Sequence, residues 1–250
     1  MTTKHLTVPE IIQSFGYPVE IHHVTTEDGY ILELHRIPYG IDGSSEEARP
    51  VALLQHGLLV SSFDWISDRP DRALAYLLAD AGYDVWLMNA RGNYYSRNHT
   101  TLDPVADKEE FWAFTYDEIG TYDDPAAIDY ALSVTGQDQI YYVGFSMGTT
   151  VFFIMMSERP EYVDKIKAAS LLAPVVYLNN VKGVLKPLAN FSGSVDAKLS
   201  EKGIYSFYAD PRDRSTDAIN KFCSEGNVTA PLCYSFIYLI CGFDPVELNK

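Results

Sequence analysis

Short apolar strings alternate with longer runs at helical spacing over the first 180 positions. "VPEIIQSFG" (8–16) has a proline near its first turn and a glycine at its end, as helices do. "VEIHHVTTEDGYILELHRI" (19–37) alternates apolar and polar residues around Glu27-Asp28-Gly29, which predicts strand–turn–strand. After a polar loop at 42–50, an α/β rhythm sets in. "VALLQHG" (51–57) and "YDVWLMNARG" (83–92) read as buried strands. "DRALAYLLADAG" (71–82) places Leu74, Leu77 and Leu78 at helical spacing and stops at Gly82. "DDPAAIDYALSVTG" (123–136) predicts a helix from about Pro125 to Gly136. "IYYVGFSMG" (140–148) predicts a strand, "TTVFFIMMSERP" (149–160) a buried helix, and "AASLLAPVVYL" (168–178) a further strand. Strands alternating with helices imply a mostly parallel, doubly wound α/β sheet covered on both faces. The rhythm breaks after about 178. Residues 1–178 therefore read as the core and 179–250 as a mostly helical insertion.

Composition narrows the class. The chain of 250 residues has a formal net charge of −15. So acidic a chain repels phosphate backbones, and nucleic acid is not an expected partner. No apolar run reaches the ~20 residues of a membrane-spanning helix. The longest, "PLCYSFIYLICGF" (231–243), predicts a buried or cap helix. The first residues lack the apolar stretch of a secretory signal, so the chain reads as cytosolic or as given without its leader. Asn-x-Ser/Thr tripeptides at Asn98, Asn190 and Asn227 favour the second. Cys223, Cys233 and Cys241 all lie late in the chain. Cys223 and Cys233 would close a short loop, but sequence alone does not fix the pairing.

The chemistry centres on Ser146. A serine hydroxyl must be exposed, deprotonated on attack and paired with an anion site. Gly144-Phe145-Ser146-Met147-Gly148 follows a β-rich run and precedes a helical one, the context of a nucleophile elbow. The backbone N–H of Met147 and that of Leu58, in the loop after the third strand, are the expected oxyanion-hole donors. His56 is tempting as a base, but beside that loop it reads better as a hydrogen-bonded residue shaping the turn. In this arrangement the acid and then the histidine follow the serine. All six histidines fall at or before His99, so residues 1–250 supply no triad Asp or His in the expected order.

Longer segments carry a resemblance: "GYPVEIHHVTTEDGYILELHRIP", "LLQHGLLVSSFDWI", "LADAGYDVWLMNARGN", "EFWAFTYDEIGTYDDPAAIDY", "YYVGFSMGTT" and "ICGFD". With these the chain resembles the acid lipases, the gastric and lysosomal group with its insect relatives. The resemblance implies an α/β-hydrolase fold with a helical cap, of which this chain matches about the N-terminal two-thirds, the last strands lying beyond it. It implies hydrolysis of neutral-lipid esters, triacylglycerol or sterol ester, at a lipid–water interface, without cofactor or metal. It supports Ser146 as nucleophile with Leu58 and Met147 as donors. It further implies a Cys223–Cys233 disulfide with Cys241 free, and a secreted or lysosomal location. Many relatives carry His and Gln beside the serine where this chain has Phe145 and Met147. A second reading is a truncated, non-catalytic lipid-binding or regulatory protein. Another α/β-hydrolase, such as a peptidase, is disfavoured by the segments outside the elbow.

Overall fold

A computed structural model describes residues 6–44, 48–177, 201 and 205. The described residues up to Val176 belong to one compact unit. Helix α1 (Val8–Ser14) opens with a capping box: the Thr7 hydroxyl accepts the Glu10 N–H, and the Glu10 carboxylate accepts the Thr7 N–H at 2.8 Å. The hairpin of β1 (Glu20–Thr25) and β2 (Tyr30–Ile37) runs antiparallel in the register Val24↔Leu32. The other elements are β3 (Val51–Gln55), α2 (Leu74–Asp80), β4 (Asp84–Leu87), β5 (Asn98–His99), α3 (Lys108–Phe111), α4 (Tyr116–Glu118), α5 (Asp124–Thr135), β6 (Ile140–Phe145), α6 (Met147–Glu158) and β7 (Ile166–Leu172).

The strand order is β1-β2-β4-β3-β6-β7, with β5 pairing β2. The pairs β3–β4, β3–β6 and β6–β7 are parallel; β1–β2, β2–β4 and β2–β5 are antiparallel. Side chains alternate across a strand, and the central strands show it. Val51, Leu53, Trp86 and Tyr142 join a core with Ala127, Ile128 and Ala131 of α5 and Phe152 and Met155 of α6. Ala52, Leu54, Val85 and Leu87 join a second core with Val8, Ile12 and α2. Helices thus cover both faces, as expected. One detail differs: α2 buries Ala75, Tyr76 and Ala79, while Leu77 is exposed. The small alanines let the helix approach the sheet, and the leucines flank the contact.

A buried charge cluster ties the hairpin to the sheet. The Arg91 guanidinium donates to Asp123 Oδ1 through Nε at 2.8 Å and to both oxygens of Asp28, and its backbone N–H reaches Asp123 Oδ2 at 2.8 Å. The side chains of Arg91 and Asp123 are fully buried. Arg91 also lies over the Tyr30 ring, 4.0 Å from its centre. Asp123 ends a single π-helical turn, Ile119–Asp123, that leads straight into α5.

Candidate active site

Ser146 stands between β6 and α6 with φ 51° and ψ −110°. This region is disfavoured for an L-residue and costs roughly 1–3 kcal/mol. The turn is sharp enough to bring backbones into contact. A Cβ on Gly144 would sit 2.7 Å from the Gly148 carbonyl oxygen, and one on Gly148 would sit 2.5 Å from the carbonyl oxygen of Gln55 in β3. Neither position has room for a side chain, which accounts for glycine at both. The Ser146 N–H donates to the Leu172 carbonyl at 2.9 Å, so β7 holds the turn from the other side. Met147 is the first residue of α6, where an N–H has no acceptor within the helix.

The loop after β3 lies against the same turn. A Cβ on Gly57 would be 3.1 Å from the Phe145 ring and 3.5 Å from Ser146 Cβ. Leu58 and Leu59 follow, both about half exposed, with Leu59 at φ 62°. Asp64, in the short 3-10 turn Ser62–Trp65, lies near the Gly57 backbone, and burial pushes its carboxyl up to about 6. A polar lattice fixes the loop from below. The Ser62 N–H donates to Asn89 Oδ1 at 2.9 Å, Asn93 Nδ2 donates to the same oxygen, and the His35 ring meets the Ser62 hydroxyl.

His56 sits inside this lattice. Nδ1 donates to the Gly57 carbonyl at 2.7 Å; Nε2 accepts the Ala90 N–H at 3.1 Å and faces the Asn93 amide at 3.2 Å. Both ring nitrogens are used, so His56 shapes the turn and has no lone pair left for Ser146. Burial pulls its pKa down to about 4. A folded pKa below the unfolded one means the proton binds on unfolding. The stability it confers is present above ~6.5 and lost as pH falls to about 4, by about 3 kcal/mol at ~1.4 kcal/mol per unit. His56→Gln is expected to be the less stable protein at pH 7 by urea denaturation, with the gap to the wild type narrowing towards pH 4. A gap that does not change with pH counts against this account.

The structure thus brings Ser146, Met147, Gly144, Gly148 and the Leu58 loop together. The other described histidines have partners elsewhere: His22 with Tyr130 and Glu20, His23 and His35 with Glu33, His99 with the Asp28 carbonyl. Asn98 is exposed on β5. Cys223, Cys233, Cys241, Asn190 and Asn227 lie outside the described residues. Sequence reasoning missed Asn89 and Asn93, though two asparagines four apart straight after an apolar strand are a readable signal.

This elbow on this sheet defines a class. Residues 50–206 match the family described as the alpha/beta hydrolase fold, and residues 8–69 match the partial alpha/beta-hydrolase lipase region. The chain belongs to the α/β-hydrolase fold family. Among curated relatives its resemblance is to acid lipases. It is 46 % identical to Lipase 3 of Drosophila melanogaster over 241 residues, 96 % of this chain and 60 % of that protein. It is 42 % identical to human gastric triacylglycerol lipase, covering 98 % of this chain and 60 % of the relative. It is 41 % identical to human lysosomal acid lipase/cholesteryl ester hydrolase, with the same coverage. The chain therefore spans about 60 % of the length of these relatives.

Proposed function

We propose that this chain carries the nucleophile and anion site of a serine hydrolase that cleaves carboxylic esters of neutral lipids, triacylglycerol or sterol ester. The observation that carries the reading is Ser146 at a positive φ between two glycines with no room for a side chain. Ser146 would attack the ester carbonyl, the N–H groups of Leu58 and Met147 would hold the oxyanion, and water would release the fatty acid from the acyl-enzyme. Similarity to lipases supports the lipid substrate. So do the exposed apolar side chains of Leu58, Leu59 and Phe145 beside the serine, which suit a substrate met at a lipid–water interface. No cofactor or metal is needed for this chemistry. Residues 1–178 would form the core and 179–250 part of the cap, with a Cys223–Cys233 disulfide and Cys241 free.

The relay is the open half of the site. Residues 1–250 contain no histidine after His99, and the described ones hold other bonds. Expressed alone, these residues are expected to hydrolyse short-chain esters only at a residual level, at most ~10³–10⁴ over water. An esterase assay beside Ser146→Ala checks this; serine-dependent turnover at ordinary lipase rates would overturn it. The second reading is a non-catalytic lipid-binding or regulatory protein. Binding to triacylglycerol emulsions that is unchanged in Ser146→Ala, with no ester turnover by the intact protein, would select it.

A secreted or lysosomal location is part of the proposal, supported by the relatives and the tripeptides at Asn98, Asn190 and Asn227. Expressed through a secretory route, the protein is expected to lose one glycan in Asn98→Gln, read as a mobility shift that N-glycan removal abolishes.

A further inference from the structure

Asp124 opens α5 and is fully buried, as is Tyr142 on β6. The Tyr142 hydroxyl oxygen lies 2.8 Å from Asp124 Oδ2 and 2.9 Å from the Gly148 carbonyl oxygen. A phenol has one proton, and both neighbours would need it if Asp124 were ionised. A carbonyl can only accept, so the Tyr142 proton belongs to Gly148. The contact with Asp124 is then a hydrogen bond only if the carboxyl donates. Two further observations agree. Asp124 Oδ1 is buried with no hydrogen-bond partner among the described residues, a costly position for half of a carboxylate. The Arg91 guanidinium, which neutralises the adjacent Asp123, is committed to Asp123 and Asp28.

We propose that Asp124 is held as the neutral acid and donates to Tyr142, which in turn donates to Gly148, so that the pair pins the first turn of α6 onto β6 and positions the elbow. The relay ends at the carbonyl that a Cβ on Gly144 would strike. Asp124 and Tyr142 are therefore positioning residues. Their link to catalysis rests on the reading of Ser146 as nucleophile, while the protonation state and the pinning do not. Among the described residues the titratable groups facing Asp124 are Tyr142 and Asp123, and α6 brings the Gly148 carbonyl to the relay. Burial and the Asp123 charge both push the Asp124 carboxyl well up, and the Tyr142 bond opposes them.

The sign follows. A buried acid whose folded pKa is raised binds its proton in the folded state, so its contribution falls as pH rises above the unfolded value. Asp124→Asn keeps the shape and a donor and cannot ionise. Compared by urea denaturation of the intact protein, the wild type is expected to lose ground to Asp124→Asn by up to tenfold in the unfolding constant per pH unit above ~4. A ratio that moves the other way, or an Asp124→Asn protein that does not fold where the wild type does, would overturn the proposal.

Local amide exchange tests the pinning. Tyr142→Phe and Asp124→Leu are expected to speed exchange in the first turn of α6 by at least about tenfold, while Asp124→Asn keeps the wild-type protection. Equal protection in all three would overturn it. Fluorophosphonate labelling of Ser146, run in parallel, separates the two readings. Altered exchange with no labelling of the intact wild-type protein, a triad histidine included, would remove the nucleophile reading and leave the relay standing.

Discussion

Asp123→Ala is expected to destabilise the protein by about 3–5 kcal/mol, the largest loss of any single change outside the apolar core. The substitution leaves the Arg91 guanidinium buried beside an empty space, where Asp123 now takes its Nε and backbone N–H. Burial outweighs the opposing pull of Arg91 and leaves the Asp123 carboxyl at about 6, so the group is mostly ionised at neutral pH. At ~2–4 °C per kcal/mol for a protein of this size, the melting temperature should fall by roughly 10 °C. Asp28→Ala is the control. Asp28 also binds Arg91 but is partly exposed, so water can replace it. Thermal denaturation of both variants decides; a loss for Asp123→Ala no larger than for Asp28→Ala would show that burial is not what makes this pair matter.

The second large effect is expected at Gly148. Its α6 backbone lies so near β3 that a methyl group would meet the Gln55 carbonyl oxygen at 2.5 Å. That oxygen belongs to the central strand and cannot move without its neighbours. Gly148→Ala must therefore lift the helix, at roughly 1–3 kcal/mol or more for an overpacked site. Ser146 is the residue before the helix and moves with it. A displacement near 1 Å costs ~10²-fold when a reacting group must be aligned. Fluorophosphonate labelling and urea denaturation should both show the change. Wild-type labelling in a destabilised Gly148→Ala would separate the stability of the turn from its alignment.

Much of the frame was legible in the sequence because its causes are local. β3, β4 and β6 are short apolar runs, and α5 ends where Gly136 takes φ 67°. The elbow was legible because the two glycines its crowding demands flank the serine. What was hidden depends on distant packing. Leu74, Leu77 and Leu78 made the visible stripe on α2, yet Ala75, Tyr76 and Ala79 meet the sheet. The π-helical turn before α5 has no signature of its own. Gly120 within it leaves room for Ile154 of α6, since a Cβ there would lie 2.7 Å from that side chain. Asp123 and Asp124 stand just before Pro125, where the sequence places the start of the helix, and both are buried, for different reasons. One answers Arg91, thirty-two positions earlier; the other answers Tyr142, eighteen positions later.

The neutral ring of His56 bears on where such a chain can be made. An unfolded molecule in acid carries a proton on that imidazole, and the loop between β3 and the short turn at Ser62 cannot close around it until the proton has left. His56 therefore penalises folding in acid, while the raised carboxyls of Asp64, Asp123 and Asp124 act in the opposite sense. A molecule that opens in acid takes up a proton at this ring, and that proton must leave before the turn can close again.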